Sequence, residues 1–303
     1  MPDDSNSFWS RYQPGLKWLE DAGHGPLTAD GYAAIRSSRY RRESHLETVA
    51  GFADHGGKLV VEVGCGIGTD GSRFLEGGAR YVGVDQSDVA VRTARRSFDM
   101  LGLKGAVVQG DATALPLADS SVDFVYSNGV LHHIPDTAGA VREIHRILRP
   151  GGRCLVMLYH RSSFNYYFNI MVLRRLGAPL LLLPGGTRLV ARLTGESVET
   201  LAGHRALLRR HGLAYLTDRQ LFLSNNTDGP GNPLSKVFSK RQARLLFAGF
   251  GQVETEVHFL NLRTLPLLDR LLGPATRERL ARRLGWHLYV HATRSDSASA
   301  TKA

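Results

Sequence analysis

The sequence predicts an α/β fold in which helices cover both faces of a mostly parallel β-sheet. Between residues 58 and 160, short apolar runs alternate with stretches of helical periodicity. Such near-continuous hydrophobicity is typical of strands that are buried on both faces. Two later runs, "GQVETEVHFL" and "GWHLYVHATR", would complete the edge of the same sheet. We therefore expect seven strands in a three-layer αβα sandwich.

The predicted strands and helices follow one another in a regular order. The strands are "KLVVEVG", "RYVGVD", "AVVQGD", "SVDFVYSNG" and "CLVMLYH", with "GSRFLEGG", "SDVAVRTARRSFDMLG" and "TAGAVREIHRILRPGG" as intervening helices. The third helix is predicted to run over 138–149 and to stop at Pro150, because proline and the following glycines end helices. Near the N-terminus, the apolar spacing of "SRYRRESHLETVAGF" predicts an amphipathic helix.

Changes in composition along the chain predict five regions. They are a helical arm at 1–50, the sheet core at 51–160, a helical lid or insertion at 161–245, the C-terminal strands at 246–294 and a disordered tail at 295–303.

The overall charge is basic and leaves several partner classes open. The 303 residues carry a formal charge of +10, which suits a nucleic acid, an anionic membrane, an acidic small molecule or simply a solvated surface. The segment at 169–186 is strongly apolar, but arginines and a proline interrupt it, so we expect no spanning helix and allow contact with a membrane surface. Two distant cysteines and the lack of a signal peptide favour a cytoplasmic location.

A glycine-rich turn follows the first strand in "VVEVGCGIGTDG". Gly66, Gly68 and Gly71 satisfy the GxGxxG pattern of dinucleotide-binding sites. Glu62 lies two residues before Gly64, however, and its charge would repel a pyrophosphate. The turn also contains no lysine or arginine, so the glycines alone do not identify the ligand.

Two further acids end the next strands and favour an adenosine ligand. Asp85 comes 21 residues after Gly64, where a carboxylate can accept hydrogen bonds from both ribose hydroxyls. Asp111, in "GDA", is placed to receive the exocyclic amine of adenine. Together with Glu62, these acids predict a pocket for an adenosine that carries positive charge.

Four motifs now support a family resemblance. They are "VVEVGCGIG", "GVDQS", "GDATALPLADSSVDFVYSNGVLHHIPD" and "EIHRILRPGG", in this order over about residues 58–158. The chain resembles the class I S-adenosylmethionine-dependent methyltransferases, which have a Rossmann-like fold. It is most similar to the small-molecule subgroup of ubiquinone and menaquinone biosynthesis methyltransferases. The resemblance implies methyl transfer to a small molecule in a biosynthetic pathway.

The same resemblance implies which residues contact the cofactor. They are Glu62, Gly64, Cys65, Gly66 and Gly68 for the methionine part, Asp85 and Gln86 for the ribose and the adenine edge, Asp111 and Ala112 for adenine, and Asn128, through its backbone carbonyl, for the methionine end.

Two adjacent histidines are candidates for a catalytic base. His132 and His133 follow Asn128 and could reach an acceptor that must lose a proton. Packing beneath the loop is the alternative interpretation. We expect no metal, because no third ligand lies nearby in the sequence.

Substrate contacts are predicted in the lid and in the loop "NNTDGPGNP" at 225–233. The loop could be a fixed turn or could close on the substrate. The candidates are Tyr159, His160, Tyr166, Asn225, Asn226 and Asp228. On the arm, we favour packing roles for Tyr32, Arg39 and Tyr40 over contact with the cofactor carboxylate.

Several rival functions remain open at this point. A lipid, quinone or isoprenoid diphosphate acceptor at a membrane surface is the main alternative, because "LGAPLLLLP" is flanked by arginines. Nucleic-acid methylation is disfavoured, since "SNGVLHH" lacks the paired prolines and aromatic residue typical of enzymes that methylate base amines. A non-catalytic cofactor-binding regulator and a nicotinamide enzyme are further alternatives. The sequence does not indicate an oligomeric state.

Overall fold

The structure is a computed structural model that describes residues 5–13, 15–16, 27–262, 265 and 271–295. Except for its first residue, the predicted tail at 295–303 lies outside the described residues. The fold contains one sheet of seven strands in the order β3-β2-β1-β4-β5-β7-β6. The strands are β1 (Leu59–Val63), β2 (Arg80–Asp85), β3 (Ala106–Gln109), β4 (Val122–Asn128), β5 (Leu148–Tyr159), β6 (Gln252–His258) and β7 (His287–Thr293).

The sheet is parallel through its first five strands and mixed at its end. Strand β1 pairs in parallel with β2 and β4, and the pairs β2–β3 and β4–β5 are parallel too. Strand β7 runs antiparallel to β5. At one end, the Gly151 N–H donates to the Arg294 carbonyl and the Arg294 N–H donates to the Gly152 carbonyl; at the other end, the His160 N–H donates to the Trp286 carbonyl. The predicted seven-stranded, mostly parallel sheet is confirmed, as is the place of both C-terminal runs in it.

Helices connect the strands in the order that the sequence predicts. The helices up to β5 are α1 (Ser5–Arg11), α2 (Ala29–Arg42), α3 (His45–Ala50), α4 (Thr69–Glu76), α5 (Asp88–Met100) and α6 (Thr137–Ile147). Those after β5 are a π-helix (Asn165–Arg174), α7 (Arg175–Gly177), a 3-10 helix (Ala178–Leu182), α8 (Gly186–Thr194), α9 (Val198–His211), α10 (Leu213–Thr217), α11 (Arg219–Thr227), α12 (Lys240–Leu246) and α13 (Pro274–Leu284).

Two predicted helix limits are wrong. Helix α6 ends at Ile147 and not at 149, because Leu148 already pairs with Val122 in the sheet. The predicted helix in "SRYRRESHLETVAGF" is two helices, since α2 ends at Arg42 and α3 begins at His45.

The chain divides into two compact units. One, which we call the sheet unit, comprises the described residues within 9–158, 240–256 and 289–295. The other, the helical unit, comprises those within 5–8, 159–239 and 257–288. The five regions predicted from composition stay predictions.

The core of the sheet unit is built on strands that are buried on both faces. Val60, Val61 and Val63 of β1 are essentially inaccessible to solvent, as expected for a central parallel strand. Against this strand layer, the rings of Phe52 and Phe74 meet edge to face at 4.8 Å. This rigid base holds the strand ends that carry the candidate site.

The helical unit differs from the prediction at the start of the loop 225–233. Helix α11 continues through Thr227, so Asn225 and Asn226 are helical. Their side-chain amides donate to the carbonyls of Leu221 and Phe222, four residues earlier. None of the described helices is both long enough and apolar enough to cross a membrane.

Candidate active site

The glycine turn after β1 depends on backbone conformations that favour glycine. Gly64, Gly66 and Gly68 have φ values of 76°, 53° and 80°, in the left-handed region that other residues rarely adopt. A Cβ on Gly64 would lie 2.3 Å from the Val130 side chain, whereas a Cβ on Gly66 would meet no atom within 4 Å. The turn therefore packs against the segment after β4 on one side and leaves open space beside Gly66.

Asp85, the last residue of β2, holds the glycine turn in place. Its carboxylate accepts hydrogen bonds from the backbone N–H groups of Gly66 and Ser87, both at 2.9 Å. Burial raises the pKa of Asp85. Because a carboxylate has about four acceptor positions, two remain for the hydroxyls of a ligand.

Glu62 is buried beside the turn, and its environment disfavours the charged form. The Tyr81 hydroxyl donates a hydrogen bond of 2.5 Å to its carboxylate. Burial, followed by the charge of Asp70, raises the pKa of Glu62 well above its ordinary value. A cationic group bound beside Glu62 would reverse this effect by stabilising the carboxylate. The repulsion of a pyrophosphate that we expected thus requires Glu62 to be ionised, which its environment disfavours.

The residues predicted to contact adenine lie at the ends of β2 and β3. Asp85 is paired with Gln109 in the sheet, and Gln109 donates to the carbonyl of Gln86. The Asp111 carboxylate is exposed and accepts two hydrogen bonds of 2.7 Å from the backbone and hydroxyl of Thr113. Next to it, Ala112 is partly exposed. Asp111 therefore shapes its own turn, unlike the buried Glu62.

Asn128 ends β4 next to the glycine turn. Its backbone is in register with Met157 of β5, and Val130 two residues later is the side chain that faces Gly64. The Asn128 side-chain oxygen is buried, and no described residue provides a hydrogen bond to it. Such an atom is costly unless a ligand or water satisfies it. Cys65, also in the turn, is buried with a raised thiol pKa.

His132 and His133 lie in a 3-10 turn and are both buried. Their ring centroids are 4.3 Å apart, and the His133 ring contacts that of Trp9 at 4.8 Å. His132 has no exposed surface, which agrees with the packing interpretation. The role of either histidine as a base stays a prediction.

An ion pair that we did not predict, between the partly exposed Arg39 and the buried Asp70, fixes the helix after the glycine turn. Asp70 lies in the first turn of α4 and accepts hydrogen bonds from both Arg39 Nε and Nη2, at 2.9 and 2.7 Å. The hydroxyls of Tyr40 and Tyr126 donate to the same carboxylate, each at 2.9 Å. Arg39 and Tyr40 therefore pack the arm onto this helix, as favoured above. The acid in "GIGTDG" was the one available signal, but its partners are distant in sequence.

The N-terminal arm also reaches the edge of the site. Ser10 Oγ lies 3.1 Å from the hydroxyl of Ser87, directly after Asp85 and Gln86. Ile67 of the glycine turn belongs to a cluster with Tyr32 and Ile35 of the arm. The sequence analysis favoured packing roles for the arm but gave no indication of this location.

The predicted substrate residues are all engaged inside the helical unit. Their contacts are Tyr159 with Asp228 (2.8 Å), His160 with the Gly285 carbonyl (3.0 Å), Tyr166 with Arg219 (2.7 Å), Asn225 with the Gly231 N–H (2.7 Å) and Asn226 with Tyr215 (3.1 Å). Asn225 thus fixes the turn at 228–233. A substrate role for these residues stays a prediction. Within the part of the chain that the structure describes, no cluster of three acids, histidines or cysteines could hold a metal ion.

Comparison with known proteins identifies the domain around this site. The methyltransferase domain family matches residues 61–156. A Mycolicibacterium smegmatis protein named "Probable S-adenosylmethionine-dependent methyltransferase" is 34% identical over 36% of this chain and 41% of its own length. The ubiquinone biosynthesis O-methyltransferase of Alkalilimnicola ehrlichii is 35% identical over 43% of this chain and 52% of its own length. The chain thus spans about half of these relatives or less.

A solved structure confirms the Rossmann-like fold over most of the chain. It is a SAM-dependent methyltransferase from Thermotoga maritima, which superposes with a TM-score of 0.54, covers 96% of this chain and 100% of its own, and is 16% identical. At that identity, the similarity extends to the fold alone.

The site fits S-adenosylmethionine (SAM), the cofactor in the name of the Mycolicibacterium smegmatis relative. The open space beside Gly66, the two remaining acceptor positions of Asp85 and the buried Asn128 oxygen meet at the carboxyl edge of β1, β2 and β4. In α/β sheets, ligands bind at this edge where the strand order reverses, here between β1 and β4. Residues 61–156 therefore resemble methyltransferase domains whose methyl donor is S-adenosylmethionine.

Proposed function

We propose that the protein transfers a methyl group from SAM to a small organic acceptor. The observation that carries this proposal is the anchored glycine turn. Asp85 fixes Gly66 while its carboxylate keeps acceptor positions for the ribose hydroxyls. The sequence match to methyltransferase domains over 61–156 supports the same reaction.

Each part of the chain contributes binding or positioning. Glu62, Gly64, Cys65, Gly66 and Gly68 would surround the methionine part, with Glu62 placed to stabilise its ammonium group. Asp85 and Gln86 would hold the ribose, Asp111 and Ala112 the adenine, and Asn128 the methionine end. When bound, SAM supplies an electrophilic methyl group on a sulfonium, so the protein's main task is to align the acceptor with it.

A protein base is needed only if the acceptor must lose its proton. His132 and His133 are the candidates, and the contact of His133 with Trp9 places that ring beside the arm. We expect His133→Gln and His132→Gln, assayed separately, to distinguish a base from a packing residue. If the substituted histidine is the base, kcat falls and its pH dependence changes while SAM affinity is retained. If the histidine only packs, the variant loses stability instead. Full activity in both variants would show that neither histidine is the base.

The acceptor class is proposed from the relatives. One relative is named for an O-methylation in ubiquinone biosynthesis, so hydroxylated aromatic and quinol compounds are the first acceptors to screen. We propose a role in a biosynthetic pathway on the same basis. A lipid or isoprenoid acceptor is the second candidate, favoured by the exposed apolar residues of the helical unit described below.

The test is release of S-adenosylhomocysteine from SAM in the presence of candidate acceptors. We expect acceptor-dependent release by the wild-type protein and strongly reduced release by Asp85→Asn. Tight SAM binding without release from any acceptor class would instead identify a cofactor-binding regulator. Nicotinamide binding in place of SAM would contradict the proposal.

A further inference from the structure

Helix α8 of the helical unit has its apolar side chains on the outside. The buried residues at its start are Gly186 and Thr187, whereas Leu189 and Leu193 are 52% and 73% exposed. Helices of globular proteins normally turn their leucines toward the core. This reversal indicates that the leucines face something other than the interior of this chain.

The π-helix in the same unit also exposes aromatic side chains, although it buries Tyr166 and Ile170. Asn165 and Asn169 are buried and joined by a hydrogen bond of 2.8 Å. Tyr167 and Phe168, on the opposite side, are 54% and 37% exposed. The π-helix therefore has an ordinary buried side and a second, solvent-exposed aromatic side that the interior of this chain does not cover.

Exposed apolar side chains are concentrated in this part of the chain. Among the described residues, fifteen large apolar side chains are exposed, and twelve lie between 167 and 213. We call these twelve the exposed apolar face: Tyr167, Phe168, Val172, Leu173, Leu176, Leu180, Leu182, Leu183, Leu189, Leu193, Val198 and Leu213. The segments that carry most of them pack against one another. Large exposed apolar surfaces mark sites for membranes or protein partners.

The charge of the same segment is strongly positive. Residues 161–213 contain eight arginines, no lysine and two glutamates, which gives a formal charge of +6 (8 minus 2). One arginine, Arg174, is paired with Glu196. Arg188 and Arg192 are exposed one position before Leu189 and Leu193, and no described residue forms an ion pair with either. An apolar stripe beside a basic stripe is the pattern of helices that lie in a membrane interface.

We propose that the exposed apolar face docks on the surface of an anionic lipid bilayer. The leucines of α8 enter the boundary between headgroups and acyl chains, and Arg188 and Arg192 contact the headgroup phosphates. A second copy of this chain is a poorer occupant. A two-fold symmetric contact would bring together two copies of a segment with a formal charge of +6, which is repulsive.

Vesicle co-sedimentation tests this proposal in the absence of SAM and of any acceptor. We expect the protein to bind vesicles in which about a third of the lipid is phosphatidylglycerol, and to bind vesicles of phosphatidylcholine alone much more weakly. High salt should weaken the binding to the anionic vesicles. The double variants Leu189→Gln/Leu193→Gln and Arg188→Gln/Arg192→Gln should each lower the partition coefficient about tenfold or more.

Helix α12 offers a matched control. Arg244 and Leu245 are adjacent and exposed, like each Arg–Leu pair of α8, but lie in the sheet unit. The double variant Arg244→Gln/Leu245→Gln should bind vesicles as the wild type does. Circular dichroism of every variant checks that the fold is retained.

Three results would overturn the proposal. They are binding that is independent of lipid charge, equal loss of binding in the α8 and α12 variants, and no vesicle binding. If vesicle binding is absent and sedimentation velocity shows a dimer that Leu189→Gln/Leu193→Gln dissociates, the face belongs to a second copy. Neither the vesicle measurement nor the sedimentation measurement uses the cofactor, so both outcomes are independent of the proposed methyl transfer.

Discussion

Buried polar groups serve different purposes in the two units of this protein. In the sheet unit, the Asp70 carboxylate is surrounded by Arg39, Tyr40 and Tyr126, and these contacts fix the helix that follows the glycine turn. In the helical unit, Asn165 and Asn169 bond to one another inside the unit while aromatic rings face outward.

The contrast separates a region held by internal contacts from a region whose apolar side chains lack internal contacts. A buried charge is tolerated only when its partners are in place. In the sheet unit, the partners of Asp70 therefore fix the helix next to the candidate site. The helical unit instead leaves apolar surface exposed to water, which is unfavourable. Burial of this surface against a partner would remove that free-energy cost. Substitutions at the Asp70 carboxylate and on the exposed apolar face should therefore have very different effects on the free energy of unfolding.

The largest effect is expected from Asp70→Asn. Asp70 is buried while Arg39 is partly exposed. The substitution removes the charge that accepts hydrogen bonds from Arg39, Tyr40 and Tyr126, so the free energy of unfolding should fall by about 3 kcal/mol. Urea denaturation followed by circular dichroism measures this. Arg92→Gln is the control, because the Arg92–Asp88 pair is exposed on both sides and should contribute within about 0.5 kcal/mol. Similar values for the two variants would contradict a structural role for Asp70.

Two leucine substitutions in the helical unit test which of its leucines support the interior and which lie on the exposed apolar face. Leu208 of α9 is buried, so Leu208→Ala should lower the free energy of unfolding by about 3 kcal/mol. Leu193 of α8 is mostly exposed, so Leu193→Ala should change it by no more than about 0.5 kcal/mol. Denaturation of the two variants under the same conditions gives the comparison. A large loss in Leu193→Ala would show that Leu193 supports the interior.

Glu62→Gln should change how stability depends on pH. Because burial and the Asp70 charge raise the pKa of Glu62, the folded protein retains a proton that the unfolded chain releases. The wild-type free energy of unfolding should therefore fall as pH rises from the ordinary glutamate pKa of 4.5 toward the raised folded value.

Glutamine cannot titrate, so the variant lacks this dependence. Within that window, the difference between the two proteins should change by up to about 1.4 kcal/mol per pH unit in favour of the variant. Denaturation curves from about pH 5 to pH 8 test this. Parallel pH dependences would show that Glu62 is ionised in the folded protein across the whole range.

The sheet and its glycine turn were predictable because strong local patterns specify them. Continuous apolar strands predict a parallel sheet, and glycines after β1 predict a turn with positive φ. The three acids were also located at the correct strand ends. Their environments were not predictable, since the burial of Glu62 and the exposure of Asp111 depend on neighbours distant in sequence.

Other features escaped prediction for related reasons. The loop at 225–233 was expected to begin at Asn225. Instead, the side-chain amides of Asn225 and Asn226 donate to helix carbonyls four residues earlier, and the helix continues to Thr227. The spacing of Leu189 and Leu193 shows that they share one face of a helix but not which way that face points. Likewise, nothing local in "GIGTDG" indicates that Arg39 pairs with Asp70.

The central claim is that Asp85 and the glycine turn bind SAM, and isothermal titration calorimetry tests it most directly. We expect the wild-type protein to bind SAM with one site per chain. Asp85→Asn should bind about tenfold or more weakly, because hydrogen bonds to a charged carboxylate are lost, while its fold is unchanged by circular dichroism. Equal affinity of the two proteins, or no heat of binding for the wild type at millimolar SAM, would contradict the account.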